Sequence, residues 1–344
     1  MFRIQQFSIS RVLFLILAFA ATVAHALPFS NLVVFGDSLA DSGNNAIVFD
    51  TAIAPPGTPP GTLRTSTPIP ANSFISTFPY ATNRYSNGPV WVEKFAASLG
   101  LSAKASLLGG TNFAFGGART GPATGSFPFS LTDQVGMFLG ASGGVAPGSA
   151  LYVVAGGGND ARDAAELAAG GGDPTAMING YATNIATILS QLSGAGARDI
   201  LLVNVPNIGL TPAAQALGPL AAAGASAISA GMNAALDSVL AALLPSLRAH
   251  VKLFDFYTTF TNVVAHPGDF GLTDVTTSCA ASAACIANPD TTLFWDGIHP
   301  TETGHNLIAS AAFAVAIPEP SSLALILIVG LFFVSRRVAR RSLR

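Results

Sequence analysis

The chain has 344 residues, half of them hydrophobic and only a tenth charged, which supports one large domain or two small ones around a sizeable core. Its 16 basic and 18 acidic side chains nearly balance. With two arginines at the front set aside, and five arginines and one glutamate at the back, nine basic and seventeen acidic residues remain, a net of −8. An acidic body argues against nucleic acid or another polyanion as a partner and fits a neutral substrate without selecting one.

At the N-terminus, Arg3 and Arg11 flank the start of an apolar run from Val12 to Ala24, followed by Ala24-His25-Ala26. This predicts a secretory signal over residues 1–26, cut after Ala26, in preference to an uncleaved anchor. Leu32 to Phe35 reads as a buried strand. It stops at Gly36-Asp37-Ser38, which is expected to set a serine hydroxyl where the strand turns into a helix. Such a hydroxyl is a weak nucleophile and needs a base oriented by a carboxylate; without one, the serine would simply cap the helix.

Asp50 to Tyr80 is rich in Pro, Thr and Gly without a period and predicts an extended surface loop, either a substrate-contacting flap or an inert insertion. A helix is expected from Pro89 to Leu99, stopped by Gly100, with Trp91, Phe95 and Leu99 as a core stripe. Leu151 to Ala155 is a strand running into the glycines of Gly156 to Asp160. Helical spacing returns over Ile178 to Leu192 and again from Ala222 to Leu244, and buried strands follow each at Asp199 to Val205 and Val251 to Phe256. Cys279 and Cys285 predict one short disulfide in an exported chain, with two free thiols as the alternative; no histidine stands near enough to make a metal site.

Asp296-Gly-Ile-His299 offers both a base and a carboxylate from one turn of chain. Among the five histidines, His25 is lost with the signal, His250 and His266 have no carboxylate at matching spacing, and His305 suits a structural hydrogen bond. A helix from Thr301 to Ala316 closes the domain behind Pro300. Strands alternating with helices predict an α/β fold with a parallel sheet covered on both faces, and ligands bind beyond the carboxyl ends of such strands.

Four ordered blocks carry a specific likeness: Phe35-Gly-Asp-Ser-Leu-Ala-Asp-Ser-Gly-Asn44, Gly110-Thr-Asn-Phe-Ala-Phe-Gly-Gly-Ala118, Gly156-Gly-Gly-Asn-Asp160 and Phe294-Trp-Asp-Gly-Ile-His-Pro-Thr301. In these the chain resembles the GDSL, or SGNH, esterases and lipases, from about Asn31 to about Ala316. The resemblance implies a flavodoxin-like three-layer α/β/α sandwich over residues 27–317. It also implies a serine hydrolase acting on ester bonds, with Ser38 as nucleophile, His299 as base and Asp296 as the carboxylate that orients it. The oxyanion hole implied is the N–H of Ser38, the N–H of Gly117 and the side-chain amide of Asn159, with Gly116 as an alternative to Gly117. Asp37 and Asp160 then support loop geometry. Neither a metal nor an organic cofactor is called for. A Gly-x-Ser-x-Gly elbow, a phosphate loop and a dinucleotide fingerprint are all lacking from the sequence.

The C-terminus resembles a PEP-CTERM sorting signal: Pro318-Glu-Pro320, apolar Leu323 to Val334, then Arg336, Arg337, Arg340, Arg341 and Arg344. Residues 318–344 are therefore expected to engage a sorting machinery and to contact the inner membrane of a Gram-negative bacterium through a run shorter than the ~20 residues of a comfortable span. The leading expectation is an exported esterase or lipase; carbohydrate deacetylation and acyl transfer use the same chemistry. The rival is a non-catalytic envelope or matrix protein on a hydrolase fold.

Overall fold

The computed structural model describes residues 29–53 and 83–317. Four parallel strands, β1 (Leu32–Gly36), β2 (Leu151–Ala155), β3 (Asp199–Val203) and β4 (His250–Phe254), lie side by side in chain order. The register pairs Leu32 with Leu151, Leu151 with Asp199, and Asp199 with His250. Beyond the outer edge of β1 the chain runs parallel again. Val34 N–H donates to Thr111 O (3.0 Å), Phe113 N–H to Val34 O (2.8 Å) and Phe115 N–H to Gly36 O (3.2 Å). With that irregular fifth member the spatial order becomes 2-1-3-4-5, the flavodoxin-like order.

Side chains alternate across the sheet as strand geometry requires. Val33, Phe35, Tyr152, Val154, Ile200 and Leu202 build one core, and Leu32, Val34, Leu151, Val153, Leu201 and Val203 the other. The main helices are α1 (Asn44–Ile53), α2 (Trp91–Ser98), α3 (Leu131–Ala141), α4 (Gly158–Ala169), α5 (Thr175–Ala195), α6 (Pro219–Leu243), α7 (Phe256–Ala265) and α8 (Glu302–Ala316). Leu131 and Phe138 of α3, Ile185 and Ile188 of α5, and Met232 and Leu236 of α6 cover the first face. Trp91 and Phe95 of α2, Phe260 of α7, and Ile308 and Ala312 of α8 cover the second. The expected three-layer α/β/α sandwich is thus the fold. By length and composition α6 could cross a membrane, yet it lies against the sheet with Ile228, Met232 and Leu236 in the core.

Several expectations shift. No helix starts at Ser38: residues 37–40 form a tight turn and α1 begins at Asn44. The predicted loop from Asp50 is helical through Ile53, and its remainder lies outside the described residues, as do the N- and C-terminal signals. Pro89 precedes the cap at Val90, so α2 starts two residues later than predicted. β4 is an edge strand, exposed at His250 and Leu253, not a buried one. A second, two-stranded parallel sheet is formed by β5 (Asp274–Ser278) and β6 (Thr292–Phe294), neither of which the sequence predicts. Short strands holding Asp274, Thr276 and Thr277 carry no apolar period to betray them.

Candidate active site

Ser38 sits two residues past the carboxyl end of β1, in a turn fixed by buried polar side chains. Gly36 is gripped from both sides by Gln134, whose Oε1 accepts the Gly36 N–H (2.8 Å) and whose Nε2 donates to its carbonyl (2.9 Å). The Asp37 carbonyl then accepts from Ala40 and Asp41 N–H, both at 3.0 Å. Asp41 collects four backbone N–H groups: Gly43 (2.8 Å), Asn44 (2.6 Å), Asn45 (3.1 Å) and Gly116 (3.0 Å). Asn44 Nδ2 donates to the carbonyls of Asn112 and Ala114, and Asn112 Nδ2 donates back to Ala40 O and Ser42 Oγ. The first two sequence blocks are therefore two halves of one polar knot.

The partner turn follows β6. Trp295 N–H donates to His299 O (2.8 Å), closing a five-residue loop. Asp296 Oδ1 accepts the N–H of Ile298 (2.8 Å) and of His299 (2.7 Å), an arrangement typical of turn-forming Asp. That leaves Asp296 Oδ2 facing His299 Nδ1 at 2.7 Å, and His299 Nε2 facing Ser38 Oγ at 2.8 Å. Both separations are ordinary hydrogen bonds. Asp296 is 0% exposed, His299 1% and Ser38 9%, so the row runs from a sealed carboxylate out to an accessible hydroxyl.

Cys279 and Cys285 form the expected disulfide, Cα atoms 5.1 Å apart. It braces the turn directly, because the adjacent Ala280 N–H donates to Trp295 O (2.8 Å). Tyr85 joins the two arms: its ring lies 5.1 Å from the His299 ring, and its hydroxyl accepts from Asn45 Nδ2 (2.6 Å). No pattern in the sequence singled out this tyrosine.

The Ser38 and Gly117 backbone N–H groups donate to no acceptor among the described residues. Gly116 has its N–H committed to Asp41, and a Cβ there would collide with the Tyr85 ring. Gly117 has φ +82°, a conformation that L side chains rarely adopt. Asn159 is not in a loop, as expected, but in the first turn of α4; one Nδ2 hydrogen goes to Ala118 O (2.9 Å) and the amide borders the site. Arg162, one helical turn on, donates to Asn159 Oδ1 (3.2 Å) and fixes which way the amide points. Its i+3 spacing from Asn159 was the available clue. The loop bearing Gly117 is tied to α4 by the bidentate Arg119–Asp163 pair and by Thr120, which donates through N–H and Oγ1 to Asp160. Burial pushes the Asp37 carboxyl up to about 6, against the opposing pull of the Leu39 N–H and of the charges of His299 and Arg162. Burial raises Asp160 too.

A cavity of about 780 Å³ opens at Ser38, His299 and Asn159 and is otherwise walled mostly by apolar side chains. No cluster of three or more His, Cys, Asp or Glu side chains able to hold a metal occurs among the described residues.

A hydroxyl, an imidazole and a carboxylate in hydrogen-bonded sequence are an arrangement suited to acyl transfer. The family model for GDSL-like Lipase/Acylhydrolase matches residues 32–312. The chain belongs to that family. It is accordingly a serine hydrolase of ester bonds, and both turns just described lie within the matched span. A GDSL esterase/lipase of Arabidopsis thaliana is 26% identical over 80% of this chain and 83% of its own length. Esterase EstA of Pseudomonas aeruginosa is 29% identical over 84% of this chain but only 47% of its own. The phosphatidylcholine-sterol acyltransferase of Aeromonas hydrophila is 25% identical over 83% of this chain and 89% of its own. Among solved structures, an extracellular lipase from Streptomyces rimosus matches 83% of this chain and 99% of its own at 18% identity, with a TM-score of 0.39.

Proposed function

We propose that this GDSL hydrolase is an exported enzyme that cleaves carboxylic esters through an acyl-enzyme on Ser38. Ser38 Oγ gives its proton to His299 Nε2 as it attacks the ester carbonyl carbon. Asp296 keeps the other proton on Nδ1 and stabilises the imidazolium. The negative oxygen of the tetrahedral intermediate is received by the N–H groups of Ser38 and Gly117 and the amide of Asn159. His299 then passes its proton to the leaving alcohol, and water, activated by the same imidazole, releases the acid. An alcohol in place of that water would make the reaction an acyl transfer. The observation that carries this reading is the unbroken Ser38–His299–Asp296 row, at 2.8 and 2.7 Å.

The sequence at either end supports export: a cleavable signal over 1–26 and a sorting segment over 318–344 would leave the hydrolase domain, 27–317, outside the inner membrane, held there by the C-terminal run until processing. The intramolecular disulfide fits an oxidising compartment. A fluorophosphonate probe tests the chemistry. It should label the wild type and leave Ser38→Ala unlabelled. A folded wild type that resists labelling would instead favour an inert binding role in the envelope.

A further inference from the structure

A side-chain amide offers an oxygen on one side and two N–H groups on the other, so an amide that must donate needs something to keep it from turning over. In Asn159 both ends are held. Nδ2 donates to Ala118 O at 2.9 Å, and Oδ1 accepts from Arg162 Nη1 at 3.2 Å. Reversing the amide would set its nitrogen against a guanidinium and its oxygen against a carbonyl, so each contact enforces the other. The second Nδ2 hydrogen has no acceptor among the described residues, on a side chain that borders the cavity beside Ser38 and His299.

Arg162 stands where a cation is not wanted for stability. It lies in the N-terminal half of α4, where a positive charge gains nothing from the helix dipole. It also feels the like charge of Arg119, whose bidentate partner is Asp163. Burial and that neighbour pull the guanidinium below its ordinary range, against the pull of Asp163, Asp37 and Glu166. A methionine would suit the helix as well and escape both penalties. It would lack a charged donor for Asn159 Oδ1, and such hydrogen bonds are about twice as strong as neutral ones. A cation on the amide oxygen also polarises the amide, which makes its N–H groups better donors.

We propose that Arg162 is a positioning residue for the reaction: its guanidinium locks and polarises the Asn159 amide, so that the free Nδ2 hydrogen meets the negative oxygen formed when Ser38 attacks the ester. The inference rests on the serine-hydrolase reading. It assigns Arg162 a share of transition-state stabilisation that is exerted wholly through Asn159. The carbonyl oxygen of a bound ester carries far less charge than that of the tetrahedral intermediate, so the effect belongs to kcat and not to KM.

The test is a double-mutant cycle on the full chain with its native disulfide: wild type, Asn159→Ala, Arg162→Met and the double variant, assayed with p-nitrophenyl butyrate. Asn159→Ala should lower kcat about 10²–10³-fold, the loss that follows removal of one oxyanion donor. Arg162→Met should lower kcat about tenfold and leave KM within about twofold. In the Asn159→Ala background the same change should cost less than about twofold, because the amide through which Arg162 acts is gone. A trifluoromethyl ketone supplies a readout without turnover: Ser38 Oγ adds to its carbonyl carbon, the proton passes to His299 Nε2, and the adduct carries the same negative oxygen. Its affinity should fall in Arg162→Met by about the factor lost from kcat. Should Arg162→Met fail to fold, Arg162→Gln, which keeps a polar tip without the charge, replaces it in the cycle with the same expectations. An unchanged kcat, a defect confined to KM, or equal losses in both backgrounds overturns the role. A wild type with no Ser38-dependent turnover and no affinity for the ketone sinks the hydrolase reading, and Arg162 with it. Normal wild-type turnover with a silent Arg162 change removes Arg162 alone.

Discussion

The two turns that build the site reach it by opposite means. The Ser38 turn is held by side chains that reach the backbone: Asp41, Asn44, Asn112 and Gln134 bond main-chain groups of Gly36, Ala40, Gly43, Asn44, Asn45, Asn112, Ala114 and Gly116. The Asp296–His299 turn has one internal carboxylate and then leans on neighbours, namely a three-residue strand, a disulfide-bearing segment and the Tyr85 ring. Ser38 is thus held by a polar network, while His299 is held by tertiary packing. An attacking oxygen has to be placed to within fractions of an ångström, and a dense network of short hydrogen bonds does that. An imidazole needs chiefly the right tautomer and tilt, which one buried carboxylate supplies.

The sharpest way to separate the two is through chemistry that leaves the fold intact. Asp296→Asn keeps the bonds to Ile298 and His299 N–H but offers His299 Nδ1 the wrong partner, so kcat on a short ester should fall about 10³–10⁴-fold, with little change in melting temperature. If turnover survives within tenfold, the carboxylate is not orienting the base.

Asp41→Ala attacks the other arm. It strips four buried N–H groups of their acceptor, and each unsatisfied group costs about 1–3 kcal/mol. Urea unfolding should show a loss of at least about 3 kcal/mol, along with misplacement of Ser38. A loss under 1 kcal/mol would mean that the network does not hold the turn.

Asp37 gives the same arm a pH signature. Its folded carboxyl is raised from 3.8 to about 6, so the folded state holds the proton more tightly than the unfolded chain. That contribution is present at low pH and is lost as pH rises from about 4 through 6. The stability of Asp37→Asn relative to wild type should therefore grow, in the variant's favour, by roughly 2–3 kcal/mol between pH 4 and 7. Chemical denaturation at several pH values reads this directly, and a flat difference would refute the penalty that burial places on the charged carboxyl. Measuring differences removes the opposite trend from His305, whose burial holds it down at about 3 and which must charge as pH falls.

The smallest effect is expected from the disulfide. Cys279→Ser with Cys285→Ser opens a short loop and should cost about 2 kcal/mol. Because Ala280 holds Trp295, kcat should also drop several-fold; an unchanged kcat would show that the catalytic turn stands without its brace.

By itself the sequence determined the strand–helix alternation, the end of β1 as the place for Ser38, and the pairing of Asp296 with His299. Those are local facts: apolar runs select strands, and a carboxylate three residues before a histidine closes its own turn. It also carried Asn44 and Asn112 inside recognisable blocks, though not their mutual bonds. Only the tertiary structure decided that Gly116 is spent on Asp41 while Gly117 stays open, and that Tyr85 spans both arms. It alone revealed β5 and β6, the edge position of β4, and the helical setting of Asn159. The reason is common to all of these: each depends on which groups from distant parts of the chain compete for the same donor, acceptor or volume. A linear pattern names the competitors and leaves the outcome to packing.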